Sequence, residues 1–387
     1  MNRARKSFDD TVILMNHSTL IAKLIAAIDA WNPLQDALEW SDAQFNEFAR
    51  ANFSVQFSKN EPYRKFCEKR GIRPENIETY RDIPAVPTDV FKHVLLTISD
   101  APIRVFRTSG TTLGARGEHR FGTLDVYQKA LVGPFRRFCV PDVDRLRMLV
   151  VAPSGRDLPE SSLSYMLDEL VERFGDAESG YFVLPGEDGQ LEMRFDALRL
   201  ALDKAQADGV KTMLLGTSFG FIEFFDSCAD SWQLAQGSRI METGGFKGKT
   251  REVTRDELYQ IFEARLGISK RNGVSEYSMT ELSSQAYSDN FFQDHSGGKS
   301  RDNVLQTPPW VRVELVEPLS FAPIEIPGTP GLIRWYDLAN TESVVAVQTS
   351  DLGVLVEGGG FRLLGRAPQA ELRGCSLTIE EIVNASR

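Results

Sequence analysis

Cysteine and histidine are both scarce in this chain, with four of each in 387 residues, and neither falls in a C-x-x-C or H-E-x-x-H spacing. That excludes a zinc-site signature and a disulfide framework, so no structural metal is expected, and most of the cysteines read as small buried hydrophobes. Positive charge is also short: the formal net charge is −10, which argues against nucleic acid or an anionic membrane as the main partner. Long apolar runs are missing as well. No window reaches the roughly 18 consecutive apolar residues of a membrane span. The basic start "MNRARKSFDD" is followed by Asn16, His17 and Lys23 where a signal peptide would need an apolar core. A soluble, cytoplasmic protein whose anion-binding capacity is local is the expectation.

What the chain does have is a sizeable core, with 42% hydrophobic residues, and a layered pattern. Residues 1–75 read as a helical start: "LIAKLIAAIDAW" and "DAQFNEFARANFSVQFSKNEPYRKFCEKRG" repeat apolar residues at three and four, with Gly71 as a stop. Residues 76–304 read as α/β. The runs "LRMLVVAPSG", "VKTMLLGTSFG" and "SRIMETGGFKG" each end in a small-residue turn, as buried parallel strands do, and helical stretches such as "SSLSYMLDELVERFG" lie between them. Residues 305–365 read as a β-rich subdomain punctuated by Pro and Gly, and 366–387 as a short tail.

The densest signal is "RTSGTTLGARG", which packs four hydroxyl side chains and three glycines into eleven positions. Glycine lets backbone N–H groups approach a phosphate, and Ser and Thr add donors, although a flexible surface loop has the same composition. A second segment, "TGGFKGKT" (243–250), nearly matches a P-loop. Its first glycine is replaced by Thr243, however, and the helix-start signal lies later, in the Thr254–Glu257 capping box. Lys247 and Lys249 remain as cations of a loop.

With "EYSMTE" (276–281), "TSDLG" (349–353) and "LLGR" (363–366) following the Ser/Thr/Gly loop in that order, the chain resembles the adenylate-forming superfamily. "PYRKFCEKRGI", "DIPAVPTDVFK", "SSLSYM", "METGGFKGK" and "GRAPQAELRGCSLTIEEI" make it similar to the phenylacetate-CoA ligase-like branch, and more closely to the acyl-protein synthetases of the LuxE type, the long-chain fatty acid–protein ligases. The resemblance implies an α/β fold: the large domain of an adenylate-forming enzyme over 1–365, with layered α/β subdomains and a β-rich subdomain. The C-terminal small domain is essentially absent, and with it the lysine that assists adenylation.

The implied activity is that of an acid–thiol ligase, with ATP and Mg²⁺ as cofactors and a carboxylic acid as substrate. Ser109, Gly110, Thr111, Thr112 and Gly114 would cradle phosphates, with Arg116 where the family's loop often carries lysine. Gly244 and Gly245 correspond to the loop beside adenine and acyl group, Tyr277 to the residue against adenine, Thr280 to the one near the α-phosphate, and Glu281 to the Mg²⁺ ligand. Asp351 would hold the ribose hydroxyls, and Arg366 the ribose or phosphate.

On residue chemistry alone, Thr280 and Glu281 also suit a helix start. Cys375 falls where acyl-protein synthetases are acylated, and a thiolate suits thioester formation. The acceptor beyond it is a thiol on a partner protein such as an acyl reductase; CoA is the alternative, and a non-catalytic nucleotide-binding subunit is a third reading. His119 is open between substrate-facing and ordinary strand positions. Phe219, Phe221, Phe224 and Phe225 are open between an acyl tunnel and core.

Overall fold

A computed structural model describes residues 15–35, 37–109, 115–244, 253–299, 301–368 and 373–386. Three helices come first: α1 (His17–Ala30), α2 (Asp42–Lys59) and α3 (Glu61–Lys69). The apolar periodicity reads straight through from α2 to α3, but the chain breaks at Asn60. Its N–H closes α2 on the Gln56 carbonyl, while its side chain caps α3 by accepting from the Tyr63 amide at 3.3 Å. Pro62, in the first turn of α3, has no N–H with which to continue the preceding helix.

Past the short β1 (Val86–Pro87), a 3₁₀ turn spans Thr88–Lys92, and the hairpin strands β2 (Arg104–Arg107) and β3 (Glu118–Phe121) flank the Ser/Thr/Gly loop. Helix α4 (Asp125–Phe138) leads into alternating elements: β4 (Arg147–Val151), α5 (Ser162–Phe174), β5 (Gly180–Tyr181), a small β6 (Val183–Pro185)–β7 (Leu191–Met193) hairpin, α6 (Phe195–Asp208), β8 (Thr212–Thr217), α7 (Ser218–Ser227), β9 (Arg239–Thr243), α8 (Arg255–Leu266) and β10 (Gly273–Tyr277). The Thr254–Glu257 capping box opens α8, as the sequence predicts.

The three small-residue-terminated runs become β4, β8 and β9. They pair in parallel with β5 and β10 in the order β5-β4-β8-β9-β10. Their unbroken hydrophobicity has a direct cause. Met148, Val150, Met213, Leu215 and Met241 face one helix-covered core, while Leu149, Val151, Leu214 and Ile240 face another, so neither face alternates with solvent.

Beyond β10 the sheet turns antiparallel through β11 (Ala286–Ser288), past helix α9 (Asn290–His295), and on through β12 (Leu305–Gln306), β13 (Val311–Val316), β14 (Pro323–Ile324), β15 (Pro330–Asp337), β16 (Ala346–Leu355) and β17 (Phe361–Arg366). The result is a 13-stranded mixed sheet that joins the α/β and β-rich stretches, with β1 paired parallel to β16. Helices α1 to α3 cover the antiparallel half, sharing one core with Trp310, Trp335 and Val345. The final helix, α10 (Arg373–Ser386), packs on α3, β1 and the Thr88–Lys92 turn.

Candidate active site

The parallel and antiparallel halves meet at the C-terminal end of β10, where the chain reverses through residues 278–285 into β11. Tyr277 closes β10. Its ring packs on Trp335 and Phe361, and its hydroxyl donates to Asp351 Oδ2 at 2.8 Å. Asp351 lies in β16 directly opposite Arg366 of β17, with Arg366 Nε 3.7 Å from Asp351 Oδ1. The ladder slips a register between Leu352 and Gly353, and such an irregularity re-aims side chains. One carboxylate is thereby held at the sheet surface beside a guanidinium that is 82% exposed.

The reversal itself is built from buried polar contacts. Asn340 donates through Nδ2 to the Glu281 and Val344 carbonyls, both at 2.9 Å, while Asp337 accepts from the Ser283 amide at 2.9 Å and the Ser284 hydroxyl at 2.7 Å. These partners, fixed by β15 and the loop after it, take up the backbone groups of the segment, so Thr280 and Glu281 form a turn and the alternative of a helix start does not hold. Glu281 is buried, and among the described residues no other residue's N–H or O–H donates to its carboxylate. Desolvation pushes its pKa up to about 7. The charges of Lys92 and Arg366 oppose that rise, and Asp89 reinforces it. A buried carboxylate in this condition favours a cation, which fits Mg²⁺ held by one carboxylate together with phosphate oxygens.

His119, on β3, connects this turn to the Ser/Thr/Gly loop. Its Nδ1–H donates to the Thr280 carbonyl at 2.8 Å, which fixes the tautomer, and Nε2 has no hydrogen-bond partner. Burial lowers its pKa to about 4, so the imidazole is neutral. Gly110, Thr111, Thr112 and Gly114 lie outside the described residues, and Ser109 is exposed at the neck of the loop. The stem below is closed by paired Thr108 and Gly117 backbone and hydroxyl contacts at 2.9 Å. Arg116 donates to the Thr108 carbonyl at 2.7 Å, the Arg107 carbonyl at 3.2 Å and Glu160 at 2.9 Å. Its fork thus ties the stem together, and contact with a phosphate would exchange some of these bonds. Gly117 rests on the Thr88–Lys92 turn: a Cβ there would meet Phe91 Cβ at 3.1 Å and its carbonyl carbon at 3.2 Å.

Gly244 follows β9 with φ +71°, a left-handed turn position that suits glycine, while Gly245, Lys247 and Lys249 lie outside the described residues. Beside Gly244 are two buried carboxylates that the sequence reading passed over. Glu242 accepts from Ser218, Ser275 and Tyr259, and Glu276 accepts from the Thr243 hydroxyl. Burial pushes Glu276 up to about 7, and its Oε1 has no hydrogen-bond partner. Phe221, Phe224 and Phe225 are buried in the core with Trp232 and Phe262, whereas Phe219, at the start of α7, is half-buried.

Cys375 is in the first turn of α10. The helix is fixed farther along: Arg70 forms a fork to Glu381 at 3.2 and 2.8 Å, and Ile382 is fully buried. Burial pushes the Cys67 thiol up to about 12 and raises that of Cys139 as well. Neither is suited to form a nucleophilic thiolate.

A mixed sheet with its polar cluster at the parallel-to-antiparallel junction belongs to the adenylate-forming fold. A 2-hydroxyisobutyryl-CoA ligase, captured in the post-adenylation state with R3-HIB-AMP, superposes with a TM-score of 0.60 over 87% of this chain and 72% of that one, at 13% identity. ATP-bound MatB from Rhodopseudomonas palustris gives 0.47 at 15% identity, over 69% of this chain and 48% of MatB, so the chain spans about half the length of that enzyme. Within this class the chain belongs to the acyl-protein synthetase (LuxE) family, whose profile matches residues 11–384. The long-chain-fatty-acid luciferin-component ligase of Aliivibrio fischeri is 22% identical over 366 residues, which cover 89% of this chain and 91% of that protein.

Proposed function

We propose that this protein activates a carboxylic acid with ATP and passes the acyl group to a thiol, first Cys375 and then an acceptor on a partner protein. The observation that carries the reading is the junction at β10. There one short reversal presents the buried Glu281, the Tyr277–Asp351 pair and, through His119, the stem of the Ser/Thr/Gly loop. A polyphosphate chemistry needs these parts in one place, because catalysis of phosphoryl-centre displacement is mostly positioning and charge neutralisation.

In this reading Asp351 accepts from the ribose hydroxyls and the Ser109–Gly117 loop donates to phosphates. Glu281 holds Mg²⁺, which neutralises phosphate charge when bound. The acid's carboxylate oxygen bonds to the α-phosphorus while the α–β bridging P–O bond breaks, and its electron pair leaves with pyrophosphate. The Cys375 thiolate then attacks the acyl carbon, forming the thioester and expelling AMP. Its place in a first helical turn favours the thiolate form. Fatty acids are the first class to try, because the Aliivibrio relative bears that substrate in its name.

Intact-mass measurement with Mg-ATP and a panel of carboxylic acids tests the reading. The expected result is an ATP-dependent acyl adduct on the wild type that is missing from Cys375→Ala, with pyrophosphate release retained by the variant. Release of AMP without any adduct would transfer the acceptor role to an external thiol such as CoA, and no acid-dependent pyrophosphate release would end the proposal.

A further inference from the structure

The backbone of Glu281 is held from both sides. Beyond it, Asn340 Nδ2 donates to the Glu281 carbonyl at 2.9 Å, and before it His119 Nδ1–H donates to the Thr280 carbonyl at 2.8 Å. A carbonyl only accepts, so the ring proton is on Nδ1. The two clamps come from different parts of the molecule. Asn340 follows β15 of the 13-stranded sheet, whereas His119 is on β3, which forms a two-stranded sheet of its own with β2. Two residues before His119, Gly117 closes the stem of the Ser/Thr/Gly loop on Thr108. The imidazole therefore ties the strand that leaves the loop stem to the peptide unit that leads into Glu281.

Packing alone does not explain a histidine here. The ring is fully buried against Phe121 at 4.2 Å and Phe91 at 6.3 Å, and its Nε2 has no hydrogen-bond partner. An apolar ring would fill the same place without leaving a buried nitrogen unpaired, so what the imidazole adds is the Nδ1–H bond. We propose that His119 is a positioning residue for adenylation, its bond to the Thr280 carbonyl setting the Glu281 carboxylate in register with the phosphates in the Ser109–Gly117 loop. This assignment rests on the ATP-dependent reading above, and no bond or proton changes at His119 itself. Its effect is geometric, since a misplacement of about 1 Å between reacting groups costs about 100-fold in rate.

Acid-dependent pyrophosphate exchange with His119→Asn and His119→Gln tests it, because the Asn amide nitrogen can take the place of Nδ1 whereas that of Gln reaches the place of Nε2. His119→Gln should lower turnover about 100-fold and change the ATP KM less than about threefold. His119→Asn should return turnover to within about fivefold of the wild type. Both variants replace the ring by an amide, so melting temperatures that fall together while turnover separates isolate the hydrogen bond from the packing. Equal turnover of the two variants overturns the inference, whether both match the wild type or both are depressed. If neither variant melts cooperatively, ¹⁵N NMR of the wild-type histidines decides, because the other three are at least partly exposed. The buried imidazole should show the Nδ1–H tautomer with an exchange-protected proton that persists with Mg-ATP; an Nε2–H tautomer, or loss of that protection on nucleotide binding, overturns the inference. Failure of the wild type to exchange with any acid removes the parent reading and this assignment with it, and that arm is read before any variant.

Discussion

Tyr277, Glu281 and Asp351 are anchored in or beside a 13-stranded sheet, whereas Cys375 belongs to one 14-residue helix held by Ile382, Thr378 and the Arg70–Glu381 fork. Around the Glu281 turn, backbone groups are claimed by Asn340 and Asp337, both fully buried, so moving one donor would leave others unsatisfied. The docking of α10 relies on a partly exposed ion pair and the apolar contact of Ile382 and Ile379. The difference suits the two halves of the proposed reaction. Activation needs fixed positions around phosphate, and delivery needs an acceptor that can present its acyl group outward.

Breaking the rigid half should have the largest effect. Glu281→Ala should lower acid-dependent pyrophosphate exchange by about 10²–10³-fold, the range for loss of a principal transition-state electrostatic contact. The same substitution removes a buried carboxyl from a desolvated place and should leave the fold at least as stable by thermal melting. Retained exchange with a cooperative melt would detach Glu281 from the site.

The parallel half was readable because its strands are buried on both faces, which writes a continuous apolar run into the sequence, and because the Thr254–Glu257 box is local. The Glu281 turn was ambiguous for the opposite reason. Thr280 and Glu281 have the residue chemistry of a helix start, and what holds them in a turn is Asn340 and Asp337, more than fifty residues away in sequence. Glu276 was hidden inside the motif it flanks. It is buried on β10, opposite Tyr287 of β11.

Glu276 provides an intermediate test of how the rigid half is balanced. Its folded pKa of about 7 lies above the ordinary carboxyl value, chiefly through desolvation, with Glu242 adding to the rise and the Thr243 and Ser278 hydroxyls opposing it. A raised carboxyl contributes stability that is complete below its unfolded pKa and is lost as pH climbs through the folded one. Between about pH 4.5 and 7 the protein should therefore lose stability on this account. Glu242 and Asp337, also raised by burial, act in the same direction, while Asp142, held low by Arg239 and Lys211 against its own desolvation, acts only in acid. Glu276→Gln keeps the shape and should raise the melting temperature at pH 8 by a few degrees relative to wild type, with little difference at pH 5. Equal shifts at both pH values would show that Glu276 is ionised or solvated in the fold.

The smallest effect should come from loosening the docked half. In Arg70→Ala the fork to Glu381 is lost, together with the cation–π contact of Arg70 over Phe66 at 4.4 Å. Both groups of the pair are about one-third exposed, so the cost should be about 1 kcal/mol or less and the melt nearly unchanged. In the proposed reaction, with the acceptor on α10 and activation at the sheet, acylation of Cys375 should slow by up to about fivefold, the rate equivalent of that energy, while pyrophosphate exchange stays at the wild-type level. Equal slowing of both steps would mean that α10 supports the proposed activation site as well, through the Thr88–Lys92 turn, which also meets the stem of the Ser/Thr/Gly loop at Gly117.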